Sequence, residues 1–331
     1  MTDRQGPSIQ AIRDAAEQLR GRIIETPVTM LASDRIKPYL PESAEVSIKL
    51  ELFQHAGSFK ARGALLNVSA LTDEERKRGV TTVSAGNHAL ALSWAAAQEK
   101  VHAKVVMPEA SDPVRVEGCR KMGAEVILTR DVHAAFAEME RIRDDEGRTV
   151  VHPFEGPRTT LGTATCGLEF ATAVPDLDAV IIPVGGGGLI SGMACAFRQM
   201  NPNIEIIGVE PFGADSMYRS FETGQPEKLE KVHTIADSLG SPLAMPYSFA
   251  VTKDNVDRII RVEDDSLRKY MALLFDALKI AVEPAGAAST AALGTVLREE
   301  MRGRKVGVIA CGSNISEEKF GKLAGEGRAL F

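Results

Sequence analysis

The stretch that decides the fold is residues 179–192, AVIIPVGGGGLISG. It begins with an apolar run, continues through four glycines at 185–188 and enters a helical pattern at Leu189. A strand that is apolar on both faces is typical of a parallel sheet covered by helices. Adjacent glycines lose much backbone entropy on folding, but their bare N–H groups can converge on an anion at a helix N-terminus. Because the pattern matches neither G-x-G-x-x-G nor a Walker loop, we predict a site for a single phosphate ester, with a flexible turn as the alternative.

Short β-branched runs alternate with longer helical patterns along the rest of the chain. Strands are predicted at 46–50, 81–84, 103–107, 125–128, 179–184, 205–209 and 305–310. Helices are predicted at 58–71, 88–98, 113–122, 132–145, 160–173, 189–200, 264–278 and 285–301. This alternation favours an α/β fold with right-handed crossovers, in which ligands bind beyond the carboxyl ends of the strands.

The composition is that of an ordinary globular chain, and its 331 residues are enough for two domains. A net charge of −6 argues against nucleic acid or an anionic membrane as the main partner. The chain has no apolar run of the ~18 residues that a membrane span needs, and its first twenty residues are polar with a helical pattern. We therefore expect a cytoplasmic protein. Because the four cysteines form no CxxC pair, we expect free thiols rather than a zinc site.

A lysine at the start of a helical pattern, Lys60, lies in the stretch ELFQHAGSFKARGA, residues 51–64. Alone it would be read as a solvated surface residue. Three further stretches accompany it in order along the chain: SAGNH at 84–88, GGGG at 185–188 and CGSN at 311–314. Together with GSFKARGA around the lysine, they resemble motifs of the fold-type II pyridoxal-phosphate (PLP) enzymes. The resemblance is to the branch of serine/threonine dehydratases and serine racemases.

The resemblance spans nearly the whole chain and implies the tryptophan synthase β-like α/β fold. That fold has two domains, each with a mostly parallel sheet flanked by helices. The larger, cofactor-binding domain would comprise residues 1–78 plus 154–331. Residues 79–153 would form a smaller, mobile domain that closes over the substrate. We also expect a homodimer or a higher homo-oligomer.

The resemblance implies roles for individual residues as well. Lys60 would hold PLP as an imine and would act as the base at the substrate Cα. The cofactor contacts would be Phe59, Lys60, Asn87, Gly185, Gly186, Gly187, Gly188, Leu189, Glu283 and Cys311. The substrate would be bound by Ser58, Ser84, Ala85, Asn87 and His88. In this arrangement the glycines contact the phosphate, and Cys311 faces the pyridine nitrogen.

The reaction that the resemblance implies is β-elimination of water from L-threonine or L-serine, which gives a 2-oxo acid and ammonia. Racemases of this branch have a second Ser where this chain has Ala85, and that Ser acts as an acid–base group opposite the lysine. A methyl group cannot transfer a proton, so elimination is favoured over racemisation. The alternative is a dehydratase for another 3-hydroxy amino acid, such as phenylserine or 3-hydroxyaspartate, with Arg158 or Arg219 to bind a second carboxylate. A racemase and a non-catalytic phosphate-binding module are further alternatives.

A segment that resembles the family's cation loop follows the strand predicted at 205–209. Glu210, Ala214 and Ser216 would supply one carboxylate and two neutral oxygens. That set is weak for Mg²⁺, which prefers more charge and strict octahedral geometry, so we expect K⁺ here. The alternative is that Glu210 merely caps a helix.

Overall fold

Two β-sheets organise the part of the chain that the computed structural model describes, residues 6–331. The strands are β1 (Val28–Met30), β2 (Glu45–Lys49), β3 (Val80–Val83), β4 (Ala103–Pro108), β5 (Glu125–Thr129), β6 (Thr149–Val150), β7 (Ala179–Pro183), β8 (Glu205–Pro211), β9 (Arg258–Val262) and β10 (Lys305–Ile309). The helices are α1 (Ile9–Leu19), α2 (Lys60–Ser69), α3 (Asp73–Arg78), α4 (Asn87–Gln98), α5 (Pro113–Lys121), α6 (Val132–Glu146), α7 (Pro157–Ala173), α8 (Gly188–Met200), α9 (Ser216–Thr223), α10 (Pro246–Asn255), α11 (Asp264–Leu278), α12 (Pro284–Gly294) and α13 (Glu317–Arg328). Residues 1–5, which begin the polar N-terminal stretch and the larger predicted domain, lie outside the described residues.

The larger sheet has six strands in the order β1-β2-β10-β7-β8-β9. Neighbouring strands are parallel except at one edge, where β1 pairs antiparallel with β2. Every residue of β7 is buried, as expected for a strand inside a parallel sheet, and helices α8 and α12 pack against it. The prediction of an α/β fold with mostly parallel sheets is confirmed.

The smaller sheet has four parallel strands in the order β5-β4-β3-β6 and is built from one contiguous part of the chain. Its apolar core includes Leu92 of α4 and Val105 of β4, and Leu65 of α2 belongs to the same cluster. Helix α2 also packs against α7, which lies beside the larger sheet. The helix that begins at Lys60 therefore contacts both halves of the molecule. The predicted domain limits and the mobility of the smaller domain remain predictions.

A buried cluster of charges anchors the first turns of α2. Arg62 donates to both carboxylate oxygens of Glu51, at 2.8 and 2.7 Å, and to both of Glu169, at 2.7 Å each. Lys49 of β2 donates to Glu169 at 2.6 Å. Burial opposes charge on Glu51, but the Arg62 guanidinium holds the pKa of this carboxyl below its usual value. Two cations thus compensate two carboxylates, as buried charges require, and the cluster ties α2 to β2 and α7.

One predicted helix ends earlier than the sequence pattern suggests. The prediction covered residues 285–301, whereas the observed helix is Pro284–Gly294. Thr295 leaves helical geometry with φ −122° and ψ −87°. The last residue of the helix, Gly294, packs against the side chain of Tyr270, where a Cβ would lie 1.6 Å from the tyrosine Oη, so the position requires glycine, a poor helix former. The apolar periodicity beyond this point belongs to turns that pack on the core.

Candidate active site

The turn before α2 places Lys60 beside the loop that follows β10. Gly57 has φ +69°, and a Cβ on it would lie 2.5 Å from Oδ1 of Asn314, so the position requires glycine. The N–H of Phe59 donates to the carbonyl oxygen of Cys311 at 3.2 Å. These contacts bring the GSFK and CGSN motifs together although they lie at opposite ends of the sequence.

The amine of Lys60 faces a cavity between the two sheets. Its Nζ donates to the carbonyl oxygen of Pro153. Burial lowers the pKa of Lys60 to about 8, although the neighbouring Cys311 and Glu283 oppose the shift. Part of the amine population is therefore uncharged near neutral pH, which a lysine nucleophile or base requires.

The four glycines form the opposite side of the cavity, between β7 and α8. A Cβ on Gly186 would lie 2.4 Å from the ring of Phe154, and one on Gly188 would lie 2.8 Å from the Cα of the same residue. Gly187 has φ +89°, which favours glycine for a second reason. The backbone thus approaches Phe154 too closely for any side chain. The first turn of α8 leaves N–H groups free for an anion.

The loop of residues 84–88, here called the 84–88 loop, follows β3 and begins α4. The N–H of Gly86 donates to Oγ of Ser84 at 3.2 Å, which closes the turn. Nε2 of His88 lies 2.9 Å from the carbonyl oxygen of Val151 and donates to it. Burial, and then the charge of Lys60, lower the pKa of His88 to about 3. The imidazole is therefore neutral over the whole physiological pH range.

Glu283 and Cys311 complete the cavity on the side of the larger sheet. Burial raises the pKa of Glu283 to about 7, while Arg115 opposes the shift. Burial, and then the charge of Glu283, raise the pKa of the Cys311 thiol well above its usual value. The thiol is therefore a neutral group. That Cys311 faces the pyridine nitrogen of a bound cofactor remains a prediction.

These elements enclose a cavity of about 280 Å³. It is lined by most of the predicted site residues: Phe59, Lys60, Ser84, Ala85, Asn87, His88, Gly185, Gly186, Gly187, Gly188, Leu189, Glu283 and Cys311. Ser58 is not among the lining residues, because its side chain is fully buried behind them. Within residues 6–331 its Oγ has no hydrogen-bond partner. Its assignment to the substrate remains a prediction.

Part of the cavity lining was not predicted from the sequence. Arg115 lies in the first turn of α5 and lines the cavity, as does the segment of residues 237–242, here called the wall segment. The rule that ligands bind beyond parallel strands could have indicated Arg115, because α5 follows β4. The wall segment follows no strand, so that rule gives no signal for it.

The residues predicted to bind a cation lie at the end of β8. Both carboxylate oxygens of Glu210 accept N–H groups at the start of α9, from Met217 at 3.0 Å and from Tyr218 at 2.7 Å. Burial raises the pKa of Glu210 to about 8. Oγ of Ser216 lies 3.4 Å from the carbonyl oxygen of Ser241. The carboxylate therefore caps a helix, which the sequence analysis gave as the alternative, and the cation remains a prediction.

Three further features of residues 6–331 bear on these expectations. Ala214, the third predicted cation ligand, is fully buried. In this part of the chain, no group of three or more His, Cys, Asp or Glu side chains is arranged to hold a metal ion. None of its helices has the length and apolar character that crossing a membrane would need.

The cavity offers what PLP needs. The amine of Lys60 can bind an aldehyde, and the glycine loop with the start of α8 can bind a phosphate without side-chain interference. Fold and cavity together define a class of α/β enzymes that hold a phosphate-bearing aldehyde on a buried lysine. The family model described as pyridoxal-phosphate dependent enzyme matches residues 20–312. The chain belongs to this family.

Individual relatives are similar to this chain over most of its length. The chain is 47% identical over 321 residues to phenylserine dehydratase of Ralstonia pickettii, covering 97% of each chain. It is 36% identical over 284 residues to L-threonine ammonia-lyase of Thermotoga maritima, covering 86% of this chain and 70% of that relative. The solved structure of maize serine racemase matches with a TM-score of 0.89 at 32% identity, over 98% of this chain and 99% of that one. The predictions of the fold-type II architecture, of PLP as the cofactor and of a lyase are confirmed.

Proposed function

We propose that this lyase removes water from a 3-hydroxy amino acid with an apolar side chain, of the phenylserine type, and releases the 2-oxo acid and ammonia. The observation that carries the proposal is the chemistry of the cavity lining. Phe154, Leu239 and Pro242 offer apolar surface to a substrate side chain. The cavity arginine, Arg115, already pairs with Asp237 at 3.0 Å. The relative that shares 47% identity is a phenylserine dehydratase, which supports the same substrate.

A substrate with a second carboxylate is disfavoured because it would need a cation of its own. Arg158 and Arg219, the candidates from the sequence, do not line the cavity. Arg158 is exposed at the start of α7, and Arg219 pairs with Asp215 at 2.9 Å. Arg115 would have to leave Asp237 to bind such a substrate. L-Threonine and L-serine, the first expectation from the sequence, need no such cation and become the second candidates.

The chain's own residues divide the chemistry between two faces of the substrate. When bound, PLP supplies an electron sink that stabilises negative charge at the substrate Cα. Lys60 is the base for the Cα proton, because its amine is partly uncharged near neutral pH. The backbone N–H groups at the start of α4 hold the substrate carboxylate, since helix N-termini bind anions. The opposite face presents the methyl group of Ala85, which cannot return a proton, so racemisation is disfavoured.

The test is a set of initial rates measured with PLP-saturated enzyme on four substrates: L-threo-phenylserine, L-threonine, L-serine and L-threo-3-hydroxyaspartate. The readout is the 2-oxo acid, with Lys60→Ala as the inactive control. We expect the highest kcat/KM for phenylserine and the lowest for 3-hydroxyaspartate. A kcat/KM that is highest for 3-hydroxyaspartate would contradict the proposed substrate, and the absence of any 2-oxo acid would contradict the reaction.

We further propose that K⁺ binds beside Glu210, Ala214 and Ser216. Each carboxyl oxygen of Glu210 accepts one N–H, which leaves further lone pairs for a weakly held monovalent ion. A bound cation would favour the ionised form and so lower the pKa of this carboxyl, which burial raises to about 8. A single carboxylate among neutral oxygens supports K⁺ over Mg²⁺.

We also propose that the chain assembles into a homodimer or a higher homo-oligomer in the cytoplasm. Large apolar side chains exposed on the surface, among them Met30 and Phe53, are the candidates for a subunit interface. Size-exclusion chromatography with light scattering tests the assembly, and a monomer at micromolar concentration would contradict it. Fractionation of the native host tests the location.

A further inference from the structure

Arg115 crosses the cavity from one sheet to the other. It belongs to α5, which packs against β5 of the four-stranded sheet, and its side chain is only 7% exposed. Its guanidinium makes a two-pronged contact with Asp237 of the wall segment, Nη1 to Oδ2 at 3.0 Å and Nη2 to Oδ1 at 3.3 Å. The two residues are 122 positions apart in sequence. The pair therefore joins the two sides of the cavity directly.

The same guanidinium holds three other groups around the cavity. Its Nε and Nη2 donate to the carbonyl oxygen of Asn314, at 3.2 and 2.8 Å. Its Nη1 donates to the carbonyl oxygen of Ala85 in the 84–88 loop at 3.4 Å. Its Nη2 lies 3.5 Å from a carboxylate oxygen of Glu283. Each guanidinium nitrogen therefore has a partner, and the partners come from four separate segments.

The placement of Arg115 is not explained by packing of its own helix. α5 is capped by Asp112, and Val114 beside the arginine is 60% exposed. The arginine is buried because the elements of the larger sheet cover it. A buried guanidinium is costly unless it is paired, so its position is stable only while Asp237 and Glu283 face it. A lysine could not replace it, because a single ammonium cannot make the planar two-pronged contact.

We propose that Arg115 is a positioning residue which, paired with Asp237, fixes the 84–88 loop and draws the wall segment over the substrate. Under the proposed function, the 84–88 loop binds the substrate carboxylate. Arg115 donates to the Ala85 carbonyl of this loop and also pairs with Asp237 of the wall segment. The pair thus sets how tightly substrate is held. It does not touch the Cα proton, so the chemical step proceeds at its own rate once substrate is bound.

The test uses PLP-saturated enzyme carrying Arg115→Lys, Asp237→Asn or both, with the best substrate of the four-member panel. The dissociation constant of an unreactive analogue that lacks the 3-hydroxyl, L-phenylalanine for phenylserine, is read from the change in cofactor absorbance. Arg198→Lys is the matched control, because Arg198 pairs with Asp257 at 2.8 Å beside the larger sheet and does not line the cavity.

We expect Arg115→Lys and Asp237→Asn each to raise KM and the analogue's dissociation constant by about tenfold, which is about 1.4 kcal/mol. The expected change in kcat is no more than about twofold. The KM and the dissociation constant of the double variant should not exceed those of the single variant that binds more weakly, because both substitutions remove the same interaction. Arg198→Lys should leave KM unchanged.

Three results would overturn the inference. One is an unchanged KM and analogue affinity in both single variants. Another is a fully additive effect in the double variant. The third is a lower unfolding temperature with unchanged KM, which would make the pair merely structural. Poor turnover of phenylserine in the unsubstituted enzyme would contradict the proposed substrate but not the role of Arg115 and Asp237. That role is tested with whichever member of the panel reacts best.

Discussion

The side-chain amide of Asn87 donates to Oε1 of Glu283 at 2.6 Å, and this bond joins the start of α4 to the residue that precedes α12. The amide is fixed in orientation, because its Oδ1 accepts a hydrogen bond from Asn314 at 2.8 Å. Burial raises the pKa of Glu283 to about 7. A carboxyl group that titrates near neutral pH therefore holds a residue predicted to contact the cofactor.

This titration predicts a pH dependence of stability. A carboxyl whose pKa is raised from 4.5 to about 7 binds its proton more tightly in the folded state. Its stabilising contribution is complete below pH 4.5 and is lost as the pH rises through about 7. Glu283→Gln keeps the side-chain volume but cannot titrate. As the pH rises from 4.5 to about 7, the free energy of unfolding of the unsubstituted protein should therefore fall by about 1.4 kcal/mol per pH unit relative to that of the variant. Urea unfolding of both proteins measures the difference, and a difference that is constant with pH would contradict the assignment.

Lys60 should carry the cofactor. The purified protein should show a visible imine band that borohydride bleaches, and peptide mapping should then find the phosphopyridoxyl group on Lys60. Lys60→Ala should keep weak PLP binding through the glycine loop but lose at least about 10²-fold in turnover, the lower bound for a positioned acid–base group. Lys305→Ala, at an ion pair on the surface, is the control. Label on any other lysine would refute the assignment.

The glycine loop should tolerate no side chain. In Gly188→Ala the new Cβ would lie 2.8 Å from the backbone Cα of Phe154, so the loop must shift and its N–H groups lose their convergence. We expect PLP affinity to fall by about tenfold or more, equivalent to losing about one hydrogen bond to a charged group. Gly325→Ala in α13 is the matched control, because a Cβ there meets open space among the described residues. Equal PLP affinity in the two variants would mean that the phosphate binds elsewhere.

Ala85 should determine the choice between elimination and racemisation. Ala85→Ser would restore a hydroxyl opposite Lys60, and a positioned acid–base group contributes about 10²–10⁴-fold. We expect racemisation to rise by a factor in this range while elimination changes little. Deuterium exchange at Cα with inversion, measured beside 2-oxo acid formation, separates the two reactions. If the variant gains no inversion, Ala85 does not lie on the face opposite Lys60.

Cation dependence should follow the single carboxylate of Glu210. Activity should be higher in K⁺ than in a bulky monovalent cation at equal ionic strength, and it should survive a divalent chelator. Ser216→Asp adds a second carboxylate and should shift the preference towards Mg²⁺. Loss of activity with chelator in K⁺ buffer, restored by Mg²⁺, would show that the site takes a divalent ion.

Strands buried on both faces were predicted well from the sequence. The prediction at 179–184 differs from β7 by one residue, because continuous apolar character marks such strands clearly. The edge strand β9 was missed, since its sequence RIIRV places arginine at both sides of a short apolar pair. Strand β6 was missed because two residues carry no periodicity. Helix α10 was missed as well, and its low amphipathicity explains why.

The candidate site was predictable wherever a motif follows a strand. Ser84 and Gly185 follow β3 and β7 and line the cavity as expected. The pairing of Arg115 with Asp237 was beyond prediction, because two residues so distant in sequence meet only through the relative placement of the two sheets. Helix capping by Glu210 was the alternative drawn from the sequence, but the N–H groups that it accepts, those of Met217 and Tyr218, could be named only once the start of α9 was located.

The charge cluster around Arg62 limits how the lysine motif could be used in protein engineering. Residues 57–64 carry the Lys60 amine and the Arg62 guanidinium in one turn of chain, but the carboxylates that compensate this guanidinium come from Glu51 and Glu169. Grafted alone onto another scaffold, the octapeptide would bring an arginine with no counter-charge into the new core, at a cost of several kcal/mol. A transplant of Lys60 must therefore carry Glu51, Glu169 and the Lys49 that pairs with Glu169, or replace Arg62 by an apolar residue.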